Sequence, residues 1–243
     1  MKKLVGVVLA GGKGTRLGEV TRVTNKHLLP VGNMPMIYYP IKKLIGINIT
    51  DILIVSGTDH MGDFVELLGS GSRFKADFTY KVQDEAGGIA QALGLAERFC
   101  NGNNCVVILG DNIFYQDLSQ LKDNIYKNKN NAHVVLKTVP DPSRYGVAYI
   151  KNNKIYDIVE KPDNPTSDLA VTGIYSYPPD VFDIIKTLKP SKRGELEITD
   201  VNKHYLHQNR LTPSFFNNYW TDAGTPDSLS LANHLVEKDP CCY

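Results

Sequence analysis

The sequence is poor in what several common function classes require. Of 243 residues only four are cysteine (Cys100, Cys105, Cys241 and Cys242), with no C-x-x-C pair and two side by side. That is neither a disulfide framework nor a thiolate zinc site, and it reads as a chain of the reducing cytoplasm. An excess of charge is also missing: 27 Lys and Arg stand against 26 Asp and Glu, a net of +1. Net charge therefore gives no case for a nucleic-acid or membrane partner, and any anion site must be a local cluster. No apolar run approaches the length of a membrane span. There is no HExxH, Cys/His ligand set or G-x-S-x-G, which leaves zinc hydrolase and serine esterase readings without support. Nor is there a Gly/Ser linker, internal repeat or low-complexity segment, so residues 1–243 read as one domain.

What is present is an ordinary globular composition, 42% hydrophobic and 22% charged, with β-branched runs alternating with helical patterns. The start, "MKKLVGVVLAGG", imitates a signal peptide. Its apolar run is at the short limit for one, and a charged glycine-rich continuation follows, so Lys3–Leu9 reads as a buried parallel strand. Ile52–Ser56, Phe78–Val82 and Val106–Leu109 read as further strands. Ile37, Ile41, Leu44 and Ile45 share one face of a helix, where Pro40 should kink the helix or push its start later. "GGIAQALGLAERF" repeats the helical pattern through Ile89, Ala92, Leu93 and Ala96. Leu118–Tyr126, Val181–Leu188 and Thr225–Glu237 look like more helices. "VAYIKNNKIYDIVEKP" predicts a hairpin with a "KNNK" turn, and Asp168–Tyr175 another strand. The expectation is an α/β fold: a single-domain, Rossmann-like, doubly wound mixed sheet with an inserted β-rich layer. In such sheets ligands bind beyond the carboxyl ends of the strands. That places residues 10–17, "QDEAGG" (83–88) and "GDN" (110–112) on one rim.

Three stretches carry chemistry. In "LAGGKGTRL" a P-loop fails because no G-K-[ST] exists, and a dinucleotide fingerprint fails because Leu17 stands where its third glycine belongs. What remains is a tight turn at Gly11, Gly12 and Gly14 whose backbone N–H groups can approach an anion. Lys13, Arg16, Arg22 and Lys26 follow against one acid, Glu19; the bland alternative is a solvated basic loop. Asp111 in "LGDN" can be a helix cap or turn residue, or a hard oxygen ligand for Mg²⁺; Asp222 in "WTDAGTPDSL" is a second carboxylate with the same two readings. In "VEKP", Glu160 could accept from hydroxyls and Lys161 could pair with a phosphate, or both could form a surface pair.

Together these stretches resemble one family, the sugar-1-phosphate nucleotidylyltransferases. The likeness runs in order through "LAGGKGTRL", "NKHLLPVGNMPMIYYPI", "QDEAGGIAQAL", "ILGDNIFY", "RYGVAYI", "VEKP", "AVTGIY", "RGELEITDVN" and "WTDAGTPDSL". It implies Mg²⁺-dependent transfer of a nucleotidyl group from dTTP to glucose 1-phosphate, with pyrophosphate leaving, the first step of dTDP-rhamnose synthesis in the cytoplasm. By position it assigns Gly11, Gly12, Gly14 and Thr15 to the nucleotide phosphates and Arg16 and Lys26 to catalysis. Gln83 and Gly88 would read the base, Asn112 would help bind nucleotide, and Asp111 and Asp222 would hold Mg²⁺. Tyr145, Gly146, Glu160, Val171 and Thr172 would line the sugar pocket, with Lys161 and Arg193 on the sugar phosphate. Residues 1–130 would then be mainly nucleotide-binding, 131–220 mainly sugar-phosphate-binding, and 221–243 a C-terminal helix and tail.

The sequence departs from the family pattern at Lys13, where a small residue is common, at His27 after the catalytic lysine, and in "QDEAGG". The last bears on nucleotide choice, because a glutamine pairs equally with the shared edge of thymine and uracil. UTP, CTP or an N-acetylated sugar therefore stay open, as does a homo-oligomer. A catalytically inactive nucleotide-sugar sensor is argued against by the presence of Arg16, Lys26, Asp111 and Asp222, and a nicotinamide oxidoreductase by the failed fingerprint. The chain resembles a short form without the helical extension that carries allosteric control in longer relatives, so that regulation is not expected.

Overall fold

The computed structural model describes residues 3–12, 14–152 and 154–238; Lys13, Asn153 of the expected turn, Cys241 and Cys242 lie outside the described residues. The chain forms two compact units. The first takes 5–86, 108–118 and 218 onward, and the second takes 87–107 and 119–217 with the residues before Val5.

The first unit is built on three parallel strands in the order β1 (Leu4–Leu9), β4 (Asp51–Gly57), β5 (Asp77–Gln83), with Leu9 opposite Val55 and Gly57 opposite Gln83. "LVGVVL" is buried throughout and "DILIVSG" through its centre, which explains their unbroken apolar runs. Parallel neighbours need crossovers. These are helices α1 (Tyr38–Gly46) and α2 (Met61–Leu68). The α1 start is late, as Pro40 implied: the proline sits in the first turn, where its missing N–H has no intrahelical role. A small hairpin, β2 (Pro30–Val31) and β3 (Met34–Pro35), precedes α1. Later segments return to this unit as β7 (Asn112–Phe114), β13 (Trp220–Asp222) and α8 (Pro226–Lys238). Here Val31, Met36, Tyr39, Ile113, Ala223, Ala232 and Val236 form one buried cluster.

The second unit opens with α3 (Ile89–Gly94), α4 (Glu97–Cys100) and β6 (Asn104–Leu109), the last of which leads into the first unit. The single helix expected over this stretch is two. Gly94 ends α3, and a Cβ there would meet Ile185 Cγ2 at 3.3 Å, so close packing on α6 (Val181–Thr187) is what the glycine serves. The β-rich layer is a mixed sheet of β10 (Lys154–Glu160), β9 (Gly146–Lys151), β11 (Leu169–Tyr177), β8 (Ala132–Thr138) and β12 (Leu211–Phe215), in that order. Neighbours are antiparallel except β8 and β12. Helices α5 (Ser119–Lys127) and α7 (Ile198–His207) complete the unit. Apolar runs and periodicity thus place an α/β fold with a β-rich insertion, and the elements bear it out. Among the described residues no helix is long and apolar enough to cross a membrane.

Candidate active site

In the first unit the glycine turn follows β1, and Lys26 opens a short 3-10 turn that Asn25 caps. Asn25 Oδ1 accepts from the His27 backbone N–H at 2.9 Å and lies 2.6 Å from His27 Nδ1, while its amide reaches the Ala10 carbonyl at 3.4 Å. Two bonds to one carbonyl oxygen require the proton on Nδ1 of a neutral imidazole. Burial, and then the neighbouring Lys26 ammonium, push the His27 pKa down to about 3, against an opposing pull from Asp111. The ring is therefore uncharged at neutral pH and acts as a wedge: a Cβ on Gly110 would sit 2.7 Å from it.

Lys26 is 8% exposed and its Nζ pairs with Asp111 Oδ2, a buried ion pair. Asp111 Oδ1 accepts from Asn112 Nδ2 at 3.0 Å, and Asn112 Oδ1 accepts from Trp220 Nε1 at 2.7 Å. Burial alone would raise the Asp111 pKa. The Lys26 ammonium, helped by His27 and the Asn112 amide, outweighs burial and holds the carboxyl well below the usual range.

The β7–β13 ribbon explains how Asp222 arrives: it pairs across the ladder with Asn112, and the Ala223 N–H donates to the Asp111 carbonyl at 2.8 Å. A Cβ on Gly224 would lie 3.3 Å from Arg16 Nη2, 3.4 Å from Asp222 Oδ2 and 3.7 Å from Asp111 Oδ2. Two carboxylates and a guanidinium thus converge on a point that only the absent side chain of Gly224 leaves open. The two carboxylates suit a hard divalent cation, which takes one or two such groups and completes its shell with phosphate oxygens. Among the described residues no group of three or more His, Cys, Asp or Glu gathers as a metal cage.

The glycines are drawn in as well. Lys26 Cε lies 3.4 Å from where a Gly12 Cβ would be, and Gly14 takes φ +67° against the Lys26 side chain. A Cβ on Gly11 would overlap Gln83 Oε1, so the buried Gln83 side chain lies against the turn. Gly11, Gly12, Gly14, Arg16, Lys26, Gln83, Asp111, Asn112 and Asp222 are accordingly neighbours, while Thr15 is exposed at the start of the next turn.

In the second unit, Gly146 pairs with both Glu160 and Val171 across the ladders, and the Lys161 N–H donates to the Tyr145 carbonyl at 2.9 Å. Arg193 Nη2 lies 2.8 Å from Glu197, 3.2 Å from Glu195 and 3.6 Å from Glu160. Burial would lower the Arg193 pKa, but the carboxylates, Glu197 foremost, raise it above its ordinary value. Thr172 stands apart from the other sugar-pocket candidates: it is fully buried, with its hydroxyl donated to the Val135 carbonyl at 2.9 Å. Gly88 has φ +98° and a Cβ there would strike the Leu196 carbonyl oxygen at 2.6 Å. Its neighbour Gly87 accepts the Leu196 N–H at 2.8 Å, so this glycine pair is an anchor on the segment after Arg193. Asn25, Trp220, Gly224, Glu197 and Thr199 escaped the sequence reading. Asn25, a capping residue type just before Lys26, carried a usable signal.

The nucleotidyl transferase family matches residues 5–239 of this chain. A glucose-1-phosphate thymidylyltransferase of Neisseria meningitidis is 42% identical over 236 residues, covering 96% of this chain and 82% of the relative. A solved Bacillus anthracis structure, assigned as a glucose-1-phosphate thymidylyltransferase and complexed with sucrose, is similar at 55% identity and a TM-score of 0.93, over 96% of this chain and 95% of that one. A UDP-glucose pyrophosphorylase complexed with UDP-glucose is similar at 26% identity and a TM-score of 0.86, over 98% and 99%.

Proposed function

This chain belongs to the nucleotidyl transferase family, and we propose that it transfers the thymidylyl group of dTTP to glucose 1-phosphate, giving dTDP-glucose and pyrophosphate. The observation that carries the reading is the convergence of Arg16, Asp111 and Asp222 on the open point at Gly224, with Lys26 paired to Asp111. The relatives named for this reaction support the choice of nucleotide and sugar. The product is the first intermediate of dTDP-rhamnose synthesis, and a cytoplasmic location agrees with the free thiols of Cys100 and Cys105.

In this reaction a phosphate oxygen of glucose 1-phosphate attacks the α-phosphorus of dTTP. The bond to the β-phosphate breaks, and pyrophosphate leaves with its electron pair. The nucleophile arrives already charged, so no serine, cysteine or histidine needs activating. The barrier is the meeting of two polyanions, which positioning and fixed positive charge lower. Backbone N–H groups of the Gly11–Gly14 turn approach the triphosphate, and Arg16 and Lys26 face the charge that develops at the transferring group. Mg²⁺, held by Asp111 and Asp222, supplies further charge neutralisation on the phosphate oxygens when bound. Gln83 and Gly88 attend the base. In the second unit Arg193 and Lys161 take the sugar phosphate, and Glu160 accepts from a sugar hydroxyl.

The test is pyrophosphate release with dTTP, UTP, CTP or ATP and glucose 1-phosphate, with Mg²⁺ or with a chelator. Turnover that is fastest with dTTP and abolished by chelation is expected. Faster turnover with UTP moves the assignment to a uridylyl transfer. Turnover with none of the four, or turnover indifferent to chelation, overturns it.

A further inference from the structure

In the second unit the acidic residues around Arg193 are arranged with a direction. Glu197 precedes α7 at a position where a side-chain oxygen ordinarily accepts from the helix's own first N–H groups, yet it makes no such bond. Its carboxylate instead forms a fork on one edge of Arg193: Oε1 takes Nε at 3.2 Å and Nη2 at 2.9 Å, and Oε2 takes Nη2 at 2.8 Å. Ser191 Oγ donates to the same Oε1 at 2.7 Å and fixes the fork from behind. Every carboxylate contact of the guanidinium falls on Nε and Nη2, so among the described residues Nη1 has no hydrogen-bond partner.

Two residues further on, the buried Thr199 donates its hydroxyl to Glu160 Oε2 at 2.5 Å. Its Oγ1 and Glu160 Oε2 would lie 3.1 and 3.4 Å from a Cβ on Gly146, so the pair rests against this glycine, where any side chain would crowd it. Among the described residues the other oxygen, Oε1, has only long ion pairs, 3.6 Å to Arg193 and 3.9 Å to Lys161. One oxygen is tied down and the other is an open acceptor.

We infer that Glu197 and Thr199, at the start of α7, are positioning residues for the sugar-phosphate site: Glu197 aims the Nη1 edge of Arg193 at the phosphate, and Thr199 holds Glu160 so that Oε1 meets a sugar hydroxyl. The inference rests on the reading of Arg193 and Glu160 as glucose 1-phosphate contacts. It adds that the helix start forgoes its own cap to orient them. A fork that pre-sets an arginine spares substrate the entropy of ordering a long side chain.

The experiment is steady-state kinetics of Glu197→Gln, Thr199→Val and Thr199→Ser, varying glucose 1-phosphate and dTTP separately, with thermal unfolding alongside. Glu197→Gln and Thr199→Val should raise KM for glucose 1-phosphate about tenfold, leaving KM for dTTP within twofold. Thr199→Ser, which keeps the hydroxyl, should restore the wild-type value. A lowered melting temperature with both KM values unchanged, or an equal rise in both, overturns the inference. Should Glu197→Gln fail to fold, the Thr199 pair decides alone, since valine matches threonine in shape. Arg193→Ala separates the two layers. If it leaves KM for glucose 1-phosphate unchanged, the underlying contact assignment fails; if it raises KM while Glu197→Gln and Thr199→Val do not, only the positioning fails.

Discussion

Each unit contains an ion pair at a candidate phosphate site, and the two follow opposite designs. The side chains of Lys26 and Asp111 are 10% and 12% exposed, and the Asn112 amide donates to the other Asp111 oxygen. The Arg193 side chain is 42% exposed and shared among three carboxylates. A buried pair sits where neither charge can be solvated if its partner leaves, so it cannot be altered by halves. A half-exposed guanidinium has water as a second partner, and its ion pairs contribute little stability. What the Arg193 network supplies is direction; what Lys26 and Asp111 supply is a fixed charge balance in a dry place.

The largest effect should come from breaking the buried pair. Lys26→Met should reduce turnover by about 10²–10³ through lost transition-state charge. It should also destabilise the fold by about 3–5 kcal/mol, because Asp111 is left charged and buried. Pyrophosphate release and urea unfolding report the two losses separately. The double variant Lys26→Met/Asp111→Asn sharpens the comparison: with no stranded charge it should regain most of the stability and none of the activity. If the single and double variants are equally unstable, the pair is not the buried charge couple described.

A smaller effect separates shape from charge. Gly14 and Gly102 both hold positive φ, +67° and +75°, but only Gly14 is crowded: a Cβ would meet Lys26 Cβ at 2.9 Å, whereas nothing lies within 4 Å at Gly102. Gly102→Ala should cost about 1 kcal/mol of backbone strain and leave turnover intact. Gly14→Ala adds a clash at Lys26, the lysine proposed to act in catalysis, for about 2–3 kcal/mol in all and a clear fall in kcat. Equal kcat for the two variants would show that the glycine turn does not set the Lys26 position.

The same contrast explains what could be read from the sequence. Strands β1, β4 and β6 announce themselves because both faces are buried and their apolar runs are unbroken, whereas β5 is half-exposed and shows only as alternation. Helix α7 does not, since its inward face includes Thr199 and Asn202, and polar residues break the apolar stripe that a periodicity search follows. Strand β8 hides in the same way, with His133 inside a short run. Of the site, the residues that bear charge or form the glycine turn were legible, because their chemistry is local to a motif. Their supports were not: Trp220 reaches Asn112 across 108 positions and Thr199 reaches Glu160 across 39, and only the fold makes either pair neighbours. Gly224 matters through a side chain it lacks, which no motif records.

The smallest effect at neutral pH belongs to His133, and it grows as the solution becomes acidic. The ring lies fully buried in β8, and that burial pushes its pKa down to about 4, with the Asn128 backbone opposing. In the unfolded chain a histidine titrates near 6.5, so the unfolded state binds the proton first. The stability tied to this group is therefore intact above about pH 6.5, falls as pH drops through the window, and is fully lost below about pH 4. Two and a half pH units of difference correspond to about 3 kcal/mol. His133→Leu, apolar and of similar bulk, removes the titration. Its unfolding free energy should match wild type at pH 7 within about 1 kcal/mol, then decline less steeply than wild type between pH 6 and 4. Urea titrations at half-unit pH steps measure both slopes. Parallel slopes would mean that the acid sensitivity of the second unit arises elsewhere.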